Sequence, residues 1–133
     1  MSPFRLARAL AIVAGSLDVG SGLGLVAAPA FVLPTVFATP APEAPAAGWV
    51  RLVGAFVFAL GGSYWWAVLR GGEERLRCAL EMTLIFRLTV GAYAAVAIIQ
   101  GWLGRGWLAV PLADFALLAA QVWLLCKKPW RHE

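Results

Sequence analysis

Four charged residues interrupt or edge the long apolar stretches of this sequence: Asp18, Arg51, Arg87 and Asp114. A charged side chain at the centre of a bilayer costs about 2.5–3.5 kcal/mol on insertion scales, so those that persist there face a protein interior and find partners. Two kinds of chemistry are open to them. One is a salt bridge that fixes which helix packs against which; the other is a relay or binding site for a proton, an ion or a small ligand. Asp18 and Arg87 fall near the middle of the first and third stretches, which makes them a candidate ion pair. Arg51 stands just inside the second stretch and Asp114 early in the fourth. An Arg51–Asp114 contact is within reach at similar depth; the alternative is that Arg51 snorkels to the lipid headgroups.

Glu81 begins the third stretch, where it complements a helix N-terminus and meets Arg77 four residues back, a structural role. Tyr64, Tyr93 and Ser63 add hydroxyls, and Gln100 and Gln121 add amides, each expected as a helix contact or interface anchor. Familiar catalytic sets are missing from the sequence. Its one histidine, His132, stands beside Arg131 in the C-terminal tail, so there is no His cluster for haem, copper or zinc and no Ser, His and Asp triad. No GxxxxGK cradles a phosphate, and the glycines of GSLDVGSGLG (15–24) follow no strand. Cys78 and Cys126 form no CxxC and are expected as reduced thiols packed as small apolar groups. No cofactor is implied.

The elements that must position these residues follow from composition. The chain has 133 residues, of which 62% are apolar and 14% charged, against about 25% charged in soluble domains. A soluble core of this size would leave large apolar patches in water, so the lipid bilayer is the expected surroundings. Crossing it takes about 20 apolar residues of helix. Four stretches qualify, at about 6–28, 49–69, 78–100 and 107–126, separated by an outer loop at 29–48, a cytoplasmic loop at 70–77 and GWLGRG at 101–106. The apolar runs are continuous and do not alternate, which disfavours a β-barrel. The fold class expected is an all-α membrane protein, a single four-transmembrane-helix bundle. FVLPTVF (31–37) is too short to span; it either lies in the outer interface, caps the bundle like a lid, or is an extension of the first helix broken at Pro29 and Pro34.

Lys and Arg orient the bundle, because they are retained on the cytoplasmic side of short loops. Arg5, Arg8, Arg70, Arg75, Arg77, Lys127, Lys128 and Arg131 share one side, against Arg51 and Arg105 on the other. Both termini are expected in the cytoplasm of a cell with the chain in its inner (plasma) membrane. Trp49, Trp102 and Trp107 mark the outer interface and Trp65, Trp66, Trp123 and Trp130 the inner one. The distribution of these cations at span ends, with no single stripe, argues against nucleic acid. A cleavable signal peptide ending near Ala28, Pro29 and Ala30 is the competing reading of the first stretch, but a long run with Asp18 at its centre fits a retained helix better. Small residues are expected to close the packing: Gly20 with Gly24, Ala55 with Ala59, Gly91 with Ala95, and the Gly61–Gly62 pair. Gly22, one turn from Asp18, places the polar and small residues of the first helix on one inward face.

From Arg51 onward, RLVGAFVFALGGSYWWAVLR, an Arg-rich inner turn, a third helix with a central basic residue, and PLADFALLAAQVWLL resemble the DoxX-like and related small bacterial four-helix membrane families. The resemblance covers some 80 residues. It implies a compact four-helix bundle, association of some members with redox or sulfur metabolism complexes, and a polar pattern matched by Arg51, Gly54, Tyr64 and Asp114.

Three functions compete. The first is a non-enzymatic accessory subunit or small-ligand binding bundle, which needs tight helix packing and a few buried polar anchors. The second is a homodimeric small-solute or proton-coupled transporter or channel. The third is an enzyme acting on a lipid or quinone through Asp114, Arg51 and Tyr64, disfavoured because Tyr64 lies toward the opposite side of the membrane from the other two. Beyond the lipid bilayer, the partners expected are further copies of the chain or a membrane complex.

Overall fold

The structure is a computed structural model that describes residues 2–127. Lys128, Trp130, Arg131 and His132 lie outside the described residues. Five α-helices run α1 (Pro3–Ala27), α2 (Pro29–Phe37), α3 (Ala44–Arg70), α4 (Glu73–Ile99) and α5 (Ala109–Cys126), the last preceded by a 3-10 turn, Arg105–Leu108. The described residues contain four helices long and apolar enough to cross a membrane: Phe4–Ala27, Ala44–Arg70, Glu73–Ile99 and Arg105–Cys126, with mean hydropathies of 1.7 to 1.9. At most 28% of the most apolar window of each is buried. Leu69, Ile85 and Ile99 are each over 70% exposed, a surface that water would expel and lipid tails accept.

The four spans agree with the expected stretches to within a few residues, but the loops are shorter than expected. The segment 29–48 is mostly helical, because Pro29 and Pro45 each sit in a first turn, where a missing N–H costs nothing. The charged segment 70–77 reduces to Gly71 and Gly72, both at positive φ. Glu73 and Glu74 then occupy the first turn of α4 and favour its positive end. A charged run read as a loop is thus a helix N-terminus. Glu81 pairs with Arg77 at 2.7 Å, half exposed, as the spacing predicts, but it lies two turns into α4 and does not complement the helix N-terminus, a place taken by Glu73 and Glu74.

Neighbouring spans run antiparallel. α1 packs most closely on α3 and α4 on α5, and the α1–α3 contact is made by glycine. A Cβ on Gly22 would lie 2.7 Å from the Gly54 carbonyl oxygen, and one on Gly61 would lie 2.7 Å from that of Gly15. Both helices therefore present glycines seven residues apart, two turns, on the face that touches. The expected Gly20–Gly24 pair does not do this: Gly20 has nothing near its Cβ direction and Gly24 meets only a Val32 methyl. Ala55 and Ala59 are likewise exposed. GxxxG spacing alone does not choose a face, whereas Asp18, placed between Gly15 and Gly22, does.

Two apolar clusters occupy the ends of the bundle. At the end where α1 begins and α5 finishes, Ala7, Ala11 and Ala14 pack with Tyr64, Val68, Leu76, Leu80 and Leu124. At the other end Leu25, Leu33 and Phe37 form a smaller cluster with Val50, Trp107 and Val110 against it. Residues 31–37 belong to α2, a separate short helix whose Leu33 and Phe37 turn inward. Phe37 stacks on Trp107 with ring centroids 4.1 Å apart, and Trp107 Nε1 donates to Thr39 Oγ1 at 2.8 Å. Trp107 thus ties the 3-10 turn before α5 to α2. Cys78 and Cys126 are exposed free thiols, where the sequence suggests thiols packed as small apolar groups.

Candidate functional site

Between the two apolar clusters lies the polar centre of the bundle. The inward stripe of α4, Leu76, Leu80, Thr83, Arg87, Gly91 and Ala94, recurs every three or four residues and carries Arg87 to mid-helix. The Arg87 side chain is 2% exposed. Its Nη2 donates to Asp18 Oδ2 of α1 at 2.6 Å, and its Nη1 donates to Asp114 Oδ1 of α5 at 2.7 Å. Its Nε donates to the Tyr64 hydroxyl of α3 at 3.3 Å. One guanidinium thus joins all four spanning helices, using its planar fork on two carboxylates at once.

The sequence expectation of an Asp18–Arg87 pair holds in the geometry; that of an Arg51–Asp114 contact does not. Arg51 is exposed and forms no ion pair among the described residues. Similar depth does not decide the partner, because Val50, Gly54, Gly61 and Tyr64 form the inward stripe of α3 and Arg51 points about a quarter of a turn away. Asp114 turns inward next to Gly91, where a Cβ would approach Asp114 Cβ to 3.3 Å.

Beyond Arg87, polar contacts continue through Tyr64. Its hydroxyl donates to Thr83 Oγ1 at 2.8 Å, and Thr83 in turn donates to the Ala79 carbonyl of its own helix at 2.8 Å. Gln121 Nε2 donates to the Tyr64 hydroxyl and, at 3.1 Å, to Thr83 Oγ1. Gln121 is fully buried, and its Oε1 has no hydrogen-bond donor among the described residues. Thr83 was not singled out from the sequence, although it lies four residues before Arg87 on the same face. Gln121, read only as a helix contact, lies seven residues after Asp114 and shares its face.

The electrostatic balance is uneven. One guanidinium faces two carboxylates, a formal charge of −1, and each aspartate side chain is 13% exposed. Each carboxylate uses one oxygen on Arg87, leaving the other without a hydrogen bond among the described residues. The centre thus holds one carboxylate more than its guanidinium balances. No nucleophile and base stand together in it, and the described residues hold no group of three His, Cys, Asp or Glu side chains able to bind a metal. Comparison of the chain with protein-family models, curated proteins and solved structures finds no match.

Proposed function

We propose that this chain is a non-enzymatic, four-span membrane bundle that binds a small cation, in the minimal case a proton, at Asp18 and Asp114. The observation that supports it is the stoichiometry around Arg87, two carboxylates on one guanidinium in an apolar bundle. An unbalanced charge at this depth is costly, and a bound cation removes the imbalance where a purely structural clasp would need one aspartate only. The distribution of Arg5, Arg8, Arg70, Arg75, Arg77 and Lys127 against Arg51 and Arg105 supports insertion into a bacterial inner (plasma) membrane with both termini cytoplasmic.

Infrared difference spectroscopy of the purified protein tests it. Acidification should raise a protonated-carboxyl band that is lost in Asp18→Asn or Asp114→Asn, or added monovalent cations should raise the thermal stability of wild type but of neither variant. If neither response occurs, the cluster is structural only and the proposal fails.

A second reading, proton-coupled transport, is favoured by the polar string that leaves Arg87 through Tyr64, Thr83 and Gln121 toward the end of the bundle where both described termini lie. Reconstituted vesicles loaded with a pH indicator separate the two. Transport requires an Asp18-dependent pH change after an acid pulse, and binding alone does not produce one.

A further inference from the structure

The first and last helices touch through their small and apolar inner residues but leave a furrow on the outer side of that contact. Between α1 and α5 lies a groove of about 310 Å³ lined by Leu6, Leu10 and Val13 on one side and Ala120, Trp123 and Leu124 on the other. Every lining residue is apolar, and the groove is open to the lipid side of the bundle. A proton or polar solute has nothing to bind there; a hydrocarbon chain does.

Two cations stand next in sequence or in space to residues of the groove wall, and they specify the rest of the molecule that would fill it. Lys127 follows the end of α5, and its Nζ lies 3.9 Å from the centroid of the Trp123 ring that forms the groove wall. Arg5 directly precedes Leu6. Neither cation forms an ion pair among the described residues. The first turn of α1 contains no acidic residue, so its positive end and two nearby arginines, Arg5 and Arg8, add unfavourably and are relieved by an anion. An apolar slot with unpaired cations at one end is complementary to a lipid with a negatively charged headgroup.

We infer that the α1–α5 groove is a binding site for an anionic phospholipid of the surrounding bilayer, its acyl chain against Leu10, Val13 and Leu124 and its phosphate between Arg5 and Lys127. The lipid closes the bundle between its first and last helices. This site is separate from the Arg87 centre and does not depend on the function proposed for it.

The test uses delipidated full-length protein in detergent, titrated with phosphatidylglycerol or with phosphatidylcholine of the same chain length, and followed by native mass spectrometry and thermal unfolding. Phosphatidylglycerol should be retained and should raise the melting temperature more than phosphatidylcholine does. Arg5→Gln and Lys127→Gln should each lower its affinity about fivefold and together abolish the preference. Both residues are exposed, so these variants are expected to fold; if either does not, the wild-type comparison of the two lipids still decides. Ala9 also lines the α1 side of the groove, and Ala9→Leu, which fills it, should reduce retention of both lipids. Equal binding of the two lipids by wild type overturns the inference. So does a protein dimer that excludes lipid and crosslinks through Val13→Cys, which would make the groove an interface between copies of this chain.

Discussion

Gly61 leaves room for Asp18. A Cβ added at Gly61 would lie 2.9 Å from Asp18 Cβ and 2.6 Å from the Val19 nitrogen, so the bare backbone of α3 is what lets the acidic turn of α1 come close enough to reach Arg87. Backbone on one side and a short side chain on the other cannot give way. Gly61→Ala should therefore push α1 from α3 and destabilise by about 1–3 kcal/mol, as overpacking does. Gly62→Ala, with nothing within 4 Å of its Cβ direction, should be neutral. Thermal unfolding of the two variants in detergent checks the contrast, and equal effects would refute the close-approach argument.

Arg87→Gln should be the most damaging change in the polar centre. It leaves two buried carboxylates facing each other, and loss of one partner from a buried ion pair typically costs about 3–5 kcal/mol. Asp18→Asn should cost less, because Arg87 keeps Asp114 and the net charge becomes zero. In a double-mutant cycle, Arg87→Gln with Asp18→Asn should recover part of the single loss. Additive losses would mean that the two side chains are not coupled.

Arg51→Gln should change stability by no more than about 0.5 kcal/mol, as for other exposed positions. It should also show no coupling to Asp114→Asn in the same assay. A coupling comparable to that of Arg87 would reinstate the contact that the geometry does not contain.

Tyr64→Phe removes the hydroxyl on which Arg87, Thr83 and Gln121 meet, leaving buried donors unpaired at a cost of about 1–3 kcal/mol. Gln121→Leu should be milder, since it also removes the unpaired Oε1. Reversal of that order in chemical or thermal unfolding would show that Gln121, and not Tyr64, organises the network.

The spans and the Asp18–Arg87 pair were legible because each rests on a signal local to one helix: apolar length, and depth counted along it. The Asp114 partner was not, because two basic residues stand within its reach and depth alone does not choose between them. Facing decides, and the facing of α3 is set by Gly54, Gly61 and Tyr64, whose inward direction shows only against α1. The same limit misled the reading of small residues. Gly20–Gly24 matches a known spacing, yet the pairs that touch, Gly22 with Gly54 and Gly15 with Gly61, join different helices and have no signature within either. Thr83 and Gln121 were recoverable in principle from helical spacing to Arg87 and Asp114, once those two are known to share a partner.

The division of the bundle into α1 with α3 and α4 with α5 also sets an order in time. Asp18 and its partner are 69 residues apart in the chain. Synthesis at about 5–20 residues per second therefore leaves the acid without its guanidinium for several seconds. Arg87 and Asp114, only 27 residues apart, belong to the later pair and can meet as soon as that hairpin is made. The second half of the molecule thus arrives with its own charges matched and one guanidinium nitrogen to spare, and joining the halves is the step at which the waiting acid of the first helix is neutralised.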